Sequence, residues 1–172
     1  KNKVVLFDFG AKANICRSLV KRGCEVTVVP AYTTCERVME LAPDGIMLSN
    51  GPGDPAENTE IIEELKKLSE KKIPTFGICL GHQLYALAHG AQTHKLKYGH
   101  RGANQPAENV KTGRVYITSQ NHGYAVVNDS LPACAEVSFV NANDGTCEGV
   151  RYLDEPAFSV QFHPEACGGP LD

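Results

Sequence analysis

The sequence predicts one α/β domain over residues 1–172, built on an open, mostly parallel β-sheet with helices on both faces. Short apolar runs alternate with amphipathic segments through the first half, which is typical of strands joined by crossover helices. These apolar runs are continuous, as expected for strands that are covered on both faces. After residue 90 the helical periodicity stops and strand-like runs follow one another. We therefore expect a sheet of the flavodoxin-like type with a strand-rich C-terminal half.

Each predicted strand in the first half is followed by a predicted helix. The strands are assigned to residues 4–9, 25–29, 45–49 and 74–78, and the helices to residues 13–22, 33–41, 59–70 and 80–89. Gly23 and Pro30 follow the first helix and the second strand, where chain breakers are expected. Thr33 and Glu36 have the spacing of a capping box. Beyond residue 90, strand-like runs are assigned to residues 115–119, 136–140, 147–152 and 157–162.

Composition and charge exclude several kinds of function. The formal net charge of -3 offers no basic patch for nucleic acid or for an anionic membrane surface. The longest apolar run falls far short of the ~20 residues that a bilayer-spanning helix needs. The cysteines include no Cys-x-x-Cys pair and their number is odd, so we expect a reducing, cytoplasmic environment. We also expect a piece of a longer polypeptide, because the first predicted strand begins almost at Lys1.

One cysteine has a sequence context that the others lack. Cys79 lies between Gly77 and Gly81, at the point where a predicted strand passes directly into a predicted helix. This is the layout of the nucleophile elbow, in which small neighbours permit a sharp turn and the central side chain projects from the sheet. The helix dipole at such a position favours the thiolate, and the N–H of Leu80 is a first-turn donor aimed at an oxyanion. The remaining cysteines are interpreted as core or surface thiols.

A nucleophilic thiolate needs a nearby histidine as its base. His163 follows the last predicted strand, and open parallel sheets collect their sites at the carboxyl ends of strands. Pro164 keeps His163 extended, and residues two apart in an extended segment point to one side, so Glu165 can reach the imidazole. His82 follows Cys79 by three residues, and this spacing alone does not exclude His82 as the base. Three other histidines are interpreted as surface or structural residues: His89, His94 and His100.

Together these motifs resemble the class I, triad-type glutamine amidotransferases, whose signature is a cysteine elbow after a strand and a distant His-x-Glu. Within that family the chain is most similar to the glutaminase domain of the carbamoyl-phosphate synthetase small subunit. Three segments carry this narrower resemblance, which covers essentially the whole chain: residues 49–55, 98–106 and 120–126. The last segment is interpreted as a loop.

The resemblance implies a role for each matching residue. Cys79 is the nucleophile, His163 is the acid and base, and Glu165 orients the imidazole. The N–H groups of Gly51 and Leu80 form the oxyanion hole. Five residues hold the amino-acid end of glutamine: Gly53, Gln83, Asn121, Gly123 and Tyr124. The alternative is a loop-stabilising role for Asn121 and Tyr124, and a simple turn for Gly53.

The implied reaction is hydrolysis of L-glutamine to glutamate and ammonia through a thioester. The ammonia then passes to the carbamoyl-phosphate synthetase large subunit, which uses ATP and Mg, whereas this domain needs no cofactor or metal. The family's small subunit has, in addition, an N-terminal domain and a C-terminal helix that this sequence lacks, and the pathway served is arginine or pyrimidine synthesis. The alternatives left open are another amidotransferase glutaminase, a γ-glutamyl hydrolase and a catalytically silent regulatory domain.

Overall fold

α-Helices alternate with strands up to residue 88, and residues 89–164 are mostly strand. The computed structural model describes residues 2–10 and 13–164. The strands are β1 (Lys3–Asp8), β2 (Glu25–Pro30), β3 (Gly45–Leu48), β4 (Thr75–Ile78), β5 (Thr93–Asn109), β6 (Val115–Val126), β7 (Ala135–Asn141), β8 (Cys147–Tyr152) and β9 (Ala157–Val160). The helices are α1 (Ala13–Lys21), α2 (Cys35–Glu40), α3 (Thr59–Ser69) and α4 (Leu80–Ala88). Short 3₁₀ helices at Pro55–Glu57 and Asn128–Ser130 lie in the connections.

The strands described form one mixed sheet in the order β2-β1-β3-β4-β9-β8-β7-β5-β6. The pairs from β2 to β9 are parallel, and the pairs from β9 to β6 are antiparallel. The predicted α/β class is confirmed, but the expected open, mostly parallel sheet of flavodoxin-like type fits only β2, β1, β3, β4 and β9. Hairpins and short turns join the later strands, and such connections reverse the chain direction and give antiparallel pairs.

Side chains of β1 alternate between two apolar cores, one on each face of the sheet. Val5 and Phe7 face a core that contains residues of three helices: Val38 of α2, Leu65 of α3 and Leu84 of α4. Leu6 faces the other core, where it joins Ile15 of α1 and Ile78 of β4. Helices therefore cover both faces, as predicted. Among the helices of the described chain, none is long and apolar enough to cross a membrane.

The antiparallel half differs most from the sequence prediction. No strand was predicted over residues 93–109, where β5 lies, and residues 120–126 were interpreted as a loop but belong to β6. The pairing of β5 with β6 is irregular, with register shifts between Lys95 and His100 and between Gly102 and Gln105. Such bulges break the two-residue alternation by which a strand is predicted from sequence.

The predicted cap of the second helix is wrong by one residue. Thr34, not Thr33, caps α2, because its side-chain oxygen accepts a hydrogen bond from the N–H of Arg37. The hydroxyl of Thr33 instead donates to the carbonyl of Pro30 at 2.6 Å. Either of these adjacent threonines has a side chain that can cap a helix. Because the hydroxyl of Thr33 is bonded to Pro30 in the turn after β2, Thr34 is the cap.

Candidate active site

Cys79 occupies a strained turn between β4 and α4. Its backbone has φ 53° and ψ -107°, a positive-φ conformation that side-chain-bearing residues rarely adopt. The Cys79 N–H donates to the carbonyl of Val160 on β9 at 2.9 Å, and its carbonyl accepts the N–H of Gln83 at 3.1 Å. Strain of this kind costs about 1–3 kcal/mol, and it persists only where the surrounding structure enforces it. The predicted elbow therefore exists as a defined backbone geometry.

Backbone close packing explains the two glycines around Cys79. A Cβ atom at Gly81 would lie 2.3 Å from the carbonyl oxygen of Leu48 on β3. A Cβ atom at Gly77 would lie 2.9 Å from the carbonyl carbon of Gly81. The N–H of Gly81 also donates to the carbonyl of Ser49 at 3.1 Å. The start of α4 is thus pressed against the ends of β3 and β4, and this contact aims the Cys79 side chain.

The loop after β3 approaches the same elbow. A Cβ atom at Gly51 would lie 1.9 Å from the carbonyl oxygen of Phe9 and 3.0 Å from Cδ2 of Leu80. Gly51 and Leu80, the predicted oxyanion donors, are therefore neighbours. Gly53 has φ 99° with nothing within 4 Å of an added Cβ, so the turn itself requires glycine there.

His163 reaches the same edge of the sheet from β9. β4 and β9 are parallel neighbours with Ile78 opposite Val160, so Cys79 and His163 both follow the carboxyl ends of adjacent strands. His163 is 6% exposed, and its backbone N–H donates to the carbonyl of Ser119 on β6 at 3.0 Å. Glu165, the predicted third member, lies outside the described residues.

The predicted glutamine-binding residues lie on α4 and β6. Gln83 is buried on α4, and its side-chain Nε2 donates to the carbonyl of Tyr124 at 2.8 Å. Tyr124 and Gly123 are half-buried, whereas Asn121 is exposed. Gln83 and Tyr124 thus meet beside the elbow, and Asn121 and Gly123 precede Tyr124 on the same strand.

Gln161 is a site residue that the sequence analysis missed. It is fully buried, and its Nε2 lies 3.5 Å from Sγ of Cys79 as a hydrogen-bond donor. Its Oε1 accepts from Nε2 of Gln83 at 2.8 Å. The available signal was its position two residues before His163, which places both on one side of an extended segment.

His82, the alternative base, is buried in the core and held by Ser159. Its ring is fully buried, and Nδ1 is hydrogen-bonded to Oγ of Ser159 at 2.7 Å. Burial, with a smaller effect of His122, lowers the pKa of His82 to about 3. An imidazole with that pKa is too weak a base to take up a proton near neutral pH. The structure therefore favours His163.

A buried polar cluster lies next to the β6 segment. His100, which was interpreted as surface or structural, is buried there, with Nε2 hydrogen-bonded to Asp144 at 2.7 Å and Nδ1 3.5 Å from Oε1 of Glu148. These carboxylates, Glu148 first, raise the pKa of His100 to about 9 against the opposing effect of burial. His122 donates from Nδ1 to the carbonyl of Tyr124 at 2.7 Å, and its Nε2 lies 2.7 Å from Oε1 of Gln120. Burial lowers the pKa of His122 to about 4.

The same cluster contains the described residues that come nearest to a metal-ligand set. One ligand atom each from His100, His122 and Glu148 lies within 4.8 Å of the others. However, Glu148 accepts from Gln120, His122 donates from Nδ1 to the carbonyl of Tyr124, and His100 is paired with Asp144. These contacts fit an ion-paired network that supports β6.

The other described histidines are not part of the site. His94 is exposed on β5. His89 is half-buried, with Nδ1 2.8 Å from the carbonyl of Tyr85 and Nε2 3.0 Å from Oε2 of Glu155. The interpretation of both as surface or structural residues fits these positions.

Comparisons with known proteins agree with this geometry. The family model for glutamine amidotransferase class-I matches residues 5–172. A carbamoyl phosphate synthase small chain from Bacillus cereus is 59% identical over 172 residues, which cover 99% of this chain and 47% of that protein. The protein of that name from Methanocaldococcus jannaschii is 56% identical over 172 residues, covering 100% of this chain and 48% of that protein. The chain thus spans about half the length of these relatives.

Solved structures show the same fold. A putative GMP synthase subunit from Thermoplasma acidophilum has TM-score 0.78 and 25% identity, with 95% of this chain and 84% of that chain covered. A glutamine amidotransferase from Thermotoga maritima has TM-score 0.75 and 18% identity, with 95% of this chain and 76% of that chain covered. From its strained cysteine elbow and the match over residues 5–172, the chain belongs to the class-I glutamine amidotransferase family.

Proposed function

We propose that this chain hydrolyses L-glutamine to glutamate and ammonia, with Cys79 as nucleophile. The observation that carries the proposal is the backbone of Cys79, held at φ 53° at the start of α4 by contacts with β3 and β9. Such a position directs the sulfur out of the turn and places it at the positive end of the helix dipole, where a thiolate is stabilised.

The proposed mechanism has two steps on this sulfur. The thiolate of Cys79 attacks the side-chain amide carbon of glutamine, and the N–H groups of Gly51 and Leu80 hold the oxyanion. His163 gives its proton to the departing ammonia, which leaves a γ-glutamyl thioester. His163 then takes a proton from water, the water attacks the thioester, and glutamate leaves as the thiolate re-forms. Glu165 orients the imidazole throughout.

The substrate is proposed to lie between α4 and β6. Gln83, Asn121, Gly123, Tyr124 and Gly53 hold its amino and carboxylate groups. Gln83 and Tyr124 are already joined by a hydrogen bond at 2.8 Å, so this wall of the site is organised before substrate binds. A preorganised wall lowers the ordering cost of binding.

The ammonia is proposed to serve a carbamoyl-phosphate synthetase large subunit in the cytoplasm. Support comes from relatives at 59% and 56% identity that carry the name carbamoyl phosphate synthase small chain. In this proposal the partner subunit uses ATP and Mg, the domain itself uses no cofactor or metal, and the longer protein contributes an N-terminal domain. The carbamoyl phosphate then serves arginine or pyrimidine synthesis.

Replacing the nucleophile tests the proposal. Cys79→Ser is expected to abolish glutamate release from glutamine, because a serine hydroxyl at this position lacks the acidity of the thiol. Mass spectrometry of the wild-type chain mixed with glutamine is expected to find a γ-glutamyl adduct on the peptide containing Cys79. Cys24→Ser is the control, and it should retain full activity. Glutamate release by a folded Cys79→Ser variant at the wild-type rate would refute the assignment.

Coupling experiments separate the alternatives. A carbamoyl-phosphate synthetase glutaminase should hydrolyse glutamine faster when its large subunit is added, whereas a γ-glutamyl hydrolase should be indifferent to that subunit. A silent regulatory domain should show no cysteine that is alkylated unusually fast near pH 7. Fast alkylation of Cys79 without an adduct from glutamine would favour another γ-glutamyl substrate.

A further inference from the structure

Two buried glutamine side chains connect the nucleophile to the substrate-binding strand. Nε2 of Gln161 is 3.5 Å from Sγ of Cys79, and Oε1 of Gln161 is 2.8 Å from Nε2 of Gln83. The same nitrogen of Gln83 is 2.8 Å from the carbonyl oxygen of Tyr124. Gln161 is 0% exposed and Gln83 is 3% exposed, so water does not compete for these contacts. The proposed mechanism gives Gln161 no role.

The orientation of both amides follows from one backbone carbonyl. A carbonyl oxygen can only accept, so Gln83 must turn its NH₂ group toward Tyr124. The second proton of that NH₂ group then points to Gln161, which must present its oxygen. The NH₂ group of Gln161 is thereby directed at the sulfur of Cys79. His122 supports the same carbonyl by donating to it from Nδ1 at 2.7 Å.

We propose that Gln161 is a further catalytic residue, whose side-chain N–H stabilises the thiolate of Cys79, and that Gln83 is the positioning residue that keeps this N–H in place. The inference rests on the proposed glutamine hydrolysis at Cys79. On ionisation the thiol proton passes to His163, and the electron pair left on sulfur accepts the hydrogen bond from Gln161. A bond to a charged acceptor is about twice as strong as one to a neutral acceptor, so the contact favours the ionised sulfur.

This role has a defined place in the reaction. The charge leaves the sulfur for the carbonyl oxygen as the S–C bond forms, so Gln161 acts before attack and the oxyanion donors act after it. When the thioester breaks and the sulfur regains its charge, the same N–H stabilises the departing thiolate. Gln161 therefore assists both the formation and the release of the reactive sulfur.

Two substitutions at Gln161 separate the donor from its packing role. Gln161→Glu keeps the oxygen that accepts from Gln83 and the side-chain volume, but it replaces the N–H facing the sulfur with an oxygen. Gln161→Leu removes both polar contacts. Gln105→Met is the control, because Gln105 is partly buried and its amide donates to the carbonyl of Arg101 rather than to a residue of the site.

The measurement is the rate of Cys79 alkylation by iodoacetamide as a function of pH, without glutamine, with each cysteine followed by peptide mass. In Gln161→Leu the midpoint of the Cys79 profile should rise by about one pH unit, since a donor to a charged group is lost. In Gln161→Glu it should rise at least as far, because an ionised carboxylate repels the thiolate. Gln105→Met should match the wild type, and Cys24 should keep its profile in every variant.

Gln83→Leu completes a double-mutant cycle. It should raise the midpoint less than Gln161→Leu, and the double variant should shift no further than Gln161→Leu alone, because Gln83 acts through Gln161. Unchanged midpoints in folded Gln161→Glu and Gln161→Leu would overturn the inference, and Gln161→Glu alone decides the question if the leucine variant does not fold. A wild-type chain that forms no adduct with glutamine overturns the proposed function instead, so the two failures are distinguishable.

Discussion

The parallel and antiparallel halves of the sheet organise their residues in different ways. In the parallel half, backbone geometry places the chemistry: Gly77 allows β4 to approach α4, Gly81 allows α4 to approach β3, and a hydrogen bond ties Cys79 to Val160. In the antiparallel half, buried side-chain hydrogen bonds and ion pairs hold β6 in place. The residues of that network are His100, Gln120, His122, Asp144 and Glu148.

From this difference we expect the parallel half to control the reactivity of Cys79 and the antiparallel half to control the affinity for glutamine. The close backbone contacts of the parallel half leave no room for larger side chains at the glycines around Cys79. Substitutions there should displace Cys79 and lower its reactivity. In the antiparallel half, the hydrogen-bonded side chains form a cooperative network, and the strength of that network depends on which of its groups are protonated. Changes there should mainly alter substrate binding, stability and pH dependence. Each of the following predictions tests one side of this comparison.

The largest effect is expected at Gly81. Gly81→Ala would place a Cβ 2.3 Å from the oxygen of Leu48, so the start of α4 must move and carry Cys79 and Leu80 with it. Misplacing a nucleophile or an oxyanion donor by about 1 Å costs roughly 10²-fold or more in rate. We expect a loss of that size in both glutamine hydrolysis and Cys79 alkylation.

Gly45→Ala is the matched control for this change. Gly45 also lies in the parallel half, but its added Cβ would meet Pro74 at an ordinary 3.6 Å. It should leave both rates near the wild-type values. Equal losses in the two variants would mean that the parallel half tolerates no added side chain, and the assignment of the effect to the elbow would be wrong.

An intermediate effect is expected at Glu148, which is 0% exposed. Glu148→Gln removes a buried charge that faces the protonated ring of His100, and the free energy of unfolding should fall by about 2 kcal/mol. The KM for glutamine should rise because β6 loses support, whereas Cys79 alkylation should change less, because Tyr124 of β6 reaches the sulfur only through Gln83 and Gln161. Urea unfolding and the two kinetic assays measure the three quantities. A loss in alkylation as large as the change in KM would show that the halves are not separable.

The smallest effect is a pH dependence carried by His100. Its pKa is about 9 in the folded chain against 6.5 for an unperturbed histidine, so its contribution to stability is complete below pH 6.5 and is lost as pH rises through 9. Because Asp144 is half-exposed and therefore screened, we expect a loss of about 1 to 2 kcal/mol. Subtracting the unfolding free energies of His100→Gln from those of the wild type across this range isolates the contribution of His100. A flat difference would contradict the ion-paired network.

Sequence predicted the parallel half well because its signals are local. The strand, the elbow and the helix around Cys79 occupy one short stretch, and glycine spacing alone marks the turn. The contacts of Gln83 with Gln161 and of His100 with Asp144 join residues 78 and 44 positions apart, and no local pattern encodes them. β5 was not predicted for the same reason. Its pairing with β6 is irregular, so the pairing partner keeps it in the sheet and its own sequence shows no regular alternation.

The unusual backbone of Cys79 also makes the residue a sensor of the intact fold. Its φ of 53° exists only while β3, β4, β9 and α4 meet at one point. If any of these elements detaches, the turn relaxes and the residue loses its place at the start of α4. Under the proposed function, damaged or half-synthesised copies would carry no activated sulfur, and the rate of a single labelling reaction would report what fraction of a preparation is native.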